Sequence, residues 1–186
     1  MGQQLAVQTA AGSPVAVLAA GGEAHQYLTF LLAGEMYAVG ILNVKEIIEY
    51  GSLTEIPMMP AFIRGVINLR GSVVPVIDLT ARFGGNTTEV GRRTCIIIVE
   101  LAQDDGHHDI GIMVDAVSEV LDIPPGEIEP PPSFGAKIRA DFIAGMGKVS
   151  GKFVIILNVH RVLSVDEMAM LASVQGTTAE ASATVT

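Results

Sequence analysis

Two stretches of the chain align without a gap. FIRGVINLRGSVVPVIDLTARF (62–83) set against FIAGMGKVSGKFVIILNVHRVL (142–163) keeps the leading Phe-Ile, pairs Gly65 with Gly145 and pairs Gly71 with Gly151. Upstream, YAVGILNVKEII (37–48) lies against IGIMVDAVSEVL (110–121), matching Val44 to Val117 and Glu46 to Glu119. The same order of segments occurs twice, so whatever one copy folds into, the other must repeat. Each copy reads as short apolar runs broken by Gly, Pro and Asp, without the periodicity of a helical bundle.

In the first half, Gln26 to Leu32 and Met36 to Gly40 flank a turn, and Val44 to Tyr50, Val66 to Leu69 and Val73 to Ile77 add three strands. Pro60 opens a short helical turn. Asp78 is placed to cap a short helix stopped by Gly84 and Gly85, and Asn158 is its counterpart in the second half. Five strands per half would close a small barrel and leave few exposed edges. The expected fold is mainly β: two fused five-stranded β-barrels with short helices and a C-terminal helix. That last helix is SVDEMAML, with Ser164 at the N-cap and Glu167 completing a capping box.

Residues 1–25 read as a disordered leader, 26–172 as one folded domain with halves at about 38–90 and 94–158, and 173–186 as a disordered tail. The N- and C-terminal segments would complete the two barrels. The leader's VAVLAAGG lacks the basic n-region of a signal peptide, because the first Lys or Arg of the chain is Lys45. Between the halves, PPGEIEPPPSFGAK reads as an ordered arm. No uninterrupted apolar run is long enough to span a bilayer, so no direct membrane insertion is expected.

A formal charge of -9 and a pI near 4.8 repel nucleic-acid backbones, which excludes the usual source of nonspecific nucleic-acid affinity. The single Cys95 sits in an apolar run and has no internal partner, which suits a buried thiol in a reducing, cytoplasmic setting. His107, His108 and Asp109, with Asp104 and Asp105 before them, raise a remote alternative, a small β-barrel metal protein. Their crowding in one segment suits an exposed hairpin turn better, and no metal ligand, cofactor or catalytic residue is assigned.

Charge is segregated. Residues 94–136 hold nine acids and no Lys or Arg, whereas 64–93 hold Arg64, Arg70, Arg82, Arg92 and Arg93 against Asp78 and Glu89. Such separation suits the docking of oriented partners. On strands, Val44, Glu46 and Ile48 would share one face, as would Val66, Asn68 and Arg70. Glu46 and Arg70 could then meet, either as a clamp holding a binding surface or as a surface ion pair worth ~0–1 kcal/mol.

YLTFLLAGEMYAVGILNVKEI, PAFIRGVINLRGSVVPVIDL, GIMVDAVSEVL and FIAGMGKVSGKFVIILNVHRVL together resemble the CheW chemotaxis coupling proteins. The resemblance implies two intertwined SH3-like barrels with a hydrophobic seam, the CheW-like fold. It also implies a non-enzymatic adaptor that couples the cytoplasmic tip of chemoreceptors to the regulatory domain of the histidine kinase CheA, in arrays reached through its partners. A CheW-like coupler of a pilus-motility or other sensory pathway is the alternative. Carried over by position, the receptor-facing residues are Val44, Glu46, Gly65 and Arg70, with Val117 and Val120 from the second half. Gly65 would admit a helical partner close to the backbone. Kinase-binding residues are not assigned.

Overall fold

The computed structural model describes residues 26–104, 106–131 and 139–164. The leader 1–25, the helix expected after Ser164, the tail 173–186 and the middle of the Pro-rich arm lie outside the described residues.

Among the described residues, eleven strands form two sheets. They are β1 (Gln26–Leu32), β2 (Glu35–Gly40), β3 (Val44–Glu49), β4 (Ile63–Leu69), β5 (Ser72–Asp78), β6 (Cys95–Gln103), β7 (Gly106–Val114), β8 (Ala116–Asp122), β9 (Ile128–Glu129), β10 (Ile143–Val149) and β11 (Lys152–Leu157). One sheet has the order β3-β6-β7-β5-β4, and the other β8-β1-β2-β11-β10-β9. The short helices α1 (Leu79–Arg82) and α2 (Val159–Val162) follow β5 and β11, capped as expected by Asp78 and Asn158.

The expected mainly β, two-barrel fold is present, but the strands do not divide between 90 and 94. Hairpin β6–β7 joins the sheet of β3, β4 and β5, while hairpin β1–β2 joins that of β8 to β11. Each half lends a hairpin to the other. The reason is visible in β6, which is apolar on both faces. Ile96 and Ile98 join Val74, Val76 and Met113 inside the five-stranded sheet. Ile97, Val99 and Leu101 face a larger cluster with Phe30, Leu32, Val39, Ile77 and Leu157, the seam between the sheets. A strand buried on both faces needs cover on both. The second barrel repeats the first: Val154 and Ile156, counterparts of Val74 and Val76, line its interior with Ala38 and Ile123.

Parallel pairs tie the lent hairpins in. β11 meets β2 from Ile155 opposite Tyr37, whereas β5 meets β7 only from Val76 opposite Gly111. The counterpart of Ile155 is Pro75, which has no N–H to donate to a neighbouring strand.

At the seam, Arg82 lies between the two matching phenylalanines. Its guanidinium carbon is 5.0 Å from the Phe62 ring centre and 4.9 Å from that of Phe142, and its Nε donates to the Val162 carbonyl at 3.1 Å. Val162 is the residue that aligns with Arg82 itself, so the side chain crosses from one copy to the same place in the other. Cys95, expected to be buried, is half-buried at this seam, with its thiol 3.3 Å from the Arg93 carbonyl.

The shared glycines have an intrachain cause. β4 bulges between Ile63 and Gly65, and β10 between Ile143 and Gly145. Gly65 has φ 151°, and a Cβ there would stand 2.4 Å from the Thr54 carbonyl oxygen, part of a two-way backbone bridge between Thr54 and Val66. The space expected to admit a partner backbone is therefore occupied by the chain itself. At Gly145 a Cβ would meet the Ile128 Cγ2 methyl at 2.6 Å and the Glu129 carbonyl oxygen at 3.2 Å, with no backbone atom closer than that and no left-handed φ. Gly65→Ala is expected to cost about 2–3 kcal/mol and Gly145→Ala about 1 kcal/mol, read from urea midpoints at constant slope. Equal shifts would contradict the difference in what each Cβ meets.

Candidate functional site

β3 and β4 lie at opposite edges of the five-stranded sheet, yet Arg70 Nη2 donates to Glu46 Oε2 at 2.7 Å. The sheet has curled until its edges approach, and the ion pair spans the gap. Arg70, expected on a strand with Val66 and Asn68, lies instead in the two-residue turn between β4 and β5, where its φ is 52°.

The partners are unequal. The Arg70 side chain is 72% exposed and that of Glu46 23%. Oε1 of Glu46 is buried and, among the described residues, has no hydrogen-bond partner. Register explains this burial. Glu46 pairs with Ile98 and Ile48 with Ile96, both residues of the barrel interior, so the carboxylate enters at the barrel mouth beneath the guanidinium.

Val44 does not share that face. β3 bulges between Val44 and Glu46, so Val44 pairs with Val99 and packs on the seam. An extra residue in one strand reverses the facing of everything beyond it. Lys45, at the bulge, reaches out to Asp109 Oδ2 at 2.8 Å, with Glu100 Oε1 at 4.0 Å. The hydrogen bond to Asp109 is the main reason its amine is held above the ordinary lysine pKa.

Val117 and Val120 lie on β8, the edge of the other sheet, opposite Phe30 and Leu28. Both partners belong to the seam cluster, and Val117 packs against it, while Val120 is 47% exposed. β8 also bulges, and the Thr29 hydroxyl bridges the irregularity, donating to the Glu119 carbonyl at 2.7 Å and accepting from its N–H at 3.1 Å. The six candidates thus resolve into an ionic pair at the first barrel's mouth (Glu46, Arg70), apolar positions packed on the seam (Val44, Val117), an exposed valine on β8 (Val120) and a buried bulge residue beneath Thr54 (Gly65).

His107 and His108 fall on β7 rather than in the turn. His107 Nδ1 is 4.0 Å from Glu100 Oε1, and among the described residues no three His, Cys, Asp or Glu side chains converge as a metal site would require. Among the same residues, no helix is long and apolar enough to cross a membrane.

Comparison with known proteins agrees with this architecture. The family described as CheW-like domain matches residues 26–167. The chain is 35% identical over 150 residues to Chemotaxis protein CheW of Klebsiella aerogenes, covering 81% of this chain and 88% of that one. It is 30% identical over 141 residues to Protein FrzA of Myxococcus xanthus, covering 75% and 85%. The crystal structure of the scaffolding protein TtCheW from Thermoanaerobacter tengcongensis matches with a TM-score of 0.68 and 39% identity, over 75% of this chain and 88% of that one. With the duplicated strand order, the exchanged hairpins and a match over most of its length, this chain belongs to the CheW-like domain family.

Proposed function

We propose that the chain is a non-enzymatic chemotaxis adaptor that couples the cytoplasmic tip of chemoreceptors to the regulatory domain of the histidine kinase CheA. It would act in the cytoplasm, held at membrane receptor arrays by its partners. The observation that carries this reading is the asymmetry of the two copies. Glu46 and Arg70 form an ion pair at the mouth of the first barrel, whereas the matching positions in the second copy are Glu119 and Ser150, which cannot pair by charge. The charge pair, which only the first copy can form, is what sets that barrel mouth apart as a surface for a partner. A helical receptor tip would lie across the pair and reach the apolar rim at Val44, with Val117 and Val120 contributing from the other barrel. Gly65 supports this surface from below through the bulge it permits.

Copurification of the full chain with a receptor cytoplasmic fragment and with the CheA regulatory domain tests the reading. Retention of both is expected, and retention of neither would overturn it. The likeness to Protein FrzA supports a second reading, a coupler in another sensory pathway, and capture of that pathway's receptor in preference to a chemoreceptor would favour it.

A further inference from the structure

Asn68 lies near the end of β4 with its side chain exposed. Its Oδ1 accepts a hydrogen bond from the backbone N–H of Gly71 at 2.9 Å, across the turn that carries Arg70. In that turn Leu69 pairs with Ser72, and Arg70 and Gly71 have φ values of 52° and 88°. A turn of this kind needs positive φ at both central residues, which Asn-Gly accommodates easily and arginine does not.

The chain makes the same turn twice more, at Ala33-Gly34 with φ 48° and 82° and at Ser150-Gly151 with φ 50° and 77°. The residues that correspond to Asn68 there are Leu31 and Lys148, neither of which has a side-chain acceptor. Of these three turns, the one bearing Arg70 is closed by a side chain of its own strand, whereas at the Ala33 turn it is the distant Asp115 whose Oδ2 accepts the Ala33 N–H, at 2.8 Å. An arginine with an exposed guanidinium on a long stem gains little from pairing if its backbone is free to move, because ordering the stem offsets the attraction.

We infer that Asn68 is a positioning residue of the docking site. By accepting the Gly71 N–H it holds the left-handed backbone at Arg70, and so holds the guanidinium over the Glu46 carboxylate before a partner arrives. Such pre-organisation lowers the entropy that binding would otherwise cost. The inference rests on the reading of Glu46 and Arg70 as receptor-facing.

Two measurements on the full chain test it. In the free protein, the NMR order parameter of the Arg70 Nε–H group is expected to be high and to fall to that of a free surface arginine in Asn68→Ala. Asn68→Asp, which keeps an acceptor, is expected to retain the native value. An unchanged order parameter in Asn68→Ala, or an equal fall in Asn68→Asp, overturns the role. In titrations with a receptor-tip fragment, Asn68→Ala is expected to weaken binding about fivefold in the native chain and less than about 1.5-fold in an Arg70→Ala chain. Equal losses in both backgrounds would mean that Asn68 acts through turn stability alone, which also overturns it. If Arg70→Ala binds the tip as well as the native chain does, the docking reading is what fails, and the order parameter still decides whether Asn68 holds Arg70.

Discussion

Glu46→Arg and Arg70→Glu are each expected to weaken binding of a receptor-tip fragment by about tenfold or more. Arg70→Glu should change the unfolding midpoint little, because the Arg70 head is largely in water, where an ion pair contributes only ~0–1 kcal/mol, whereas Glu46→Arg sets a longer cation where a carboxylate oxygen is buried and should lower the midpoint as well. Binding is not spared, because each reversal sets like charges against one another at the barrel mouth and disperses the surface that a partner would meet. The double exchange, Glu46→Arg with Arg70→Glu, restores a pair of opposite charges and is expected to recover part of the affinity. Native affinity in both single variants, measured by calorimetric titration, would remove these residues from the interface.

Asp78→Ala is expected to lower stability by about 3–5 kcal/mol, the largest effect among the substitutions considered. Asp78 is fully buried, and its two oxygens accept four hydrogen bonds. Oδ1 takes the N–H groups of Thr80 and Ala81, at 3.1 Å and 3.3 Å, and the Thr88 hydroxyl at 2.8 Å. Oδ2 takes the Thr88 N–H at 2.6 Å. One carboxylate therefore caps α1 and also pins the loop that leads to β6. Removing it leaves donors in a site closed to water. Asp78→Asn should fall between, because an amide can replace only one of the two oxygens and would face the Thr88 N–H with its own. Asn158→Ala is the natural comparison: that side chain accepts one long bond, from the Arg161 N–H at 3.4 Å, so its loss should cost about 1 kcal/mol or less. Denaturant titration separates the three, and equal costs for Asp78→Ala and Asn158→Ala would show that the buried loop contact contributes nothing.

What could be read from the residues was whatever depends on local order. The duplication, most strand positions and the capping roles of Asp78 and Asn158 follow from spacing and residue type, and Glu46 and Arg70 meet as the pattern suggested. Two kinds of fact were hidden. A bulge is one extra residue in a strand, and nothing in YAVGILNVKEII announces that Lys45 is that residue, so simple alternation puts Val44 on the face opposite the one it occupies. Strand neighbours across the chain are also silent in an alternating pattern, which by itself does not say that hairpins β1–β2 and β6–β7 each pair with the other half. A usable signal existed in CIIIV, since an unbroken apolar run marks a strand covered on both faces, as a strand between a barrel interior and a seam must be. For Gly65 the shared glycine is plain in the repeat, but its cause, Thr54, lies well before it in the sequence with no mark of its own.

The exchange of hairpins bears on how the molecule comes apart. β2 is held by β11, and β7 by β5, so each sheet takes strands from both ends or both halves of the chain. Neither copy of the repeat can be pulled open without withdrawing two strands from the other, and a break in either sheet is felt in both. Despite its two barrels, the domain is therefore expected to melt in one calorimetric transition rather than two, and fragments cut between the copies would each lack strands that only the other can supply.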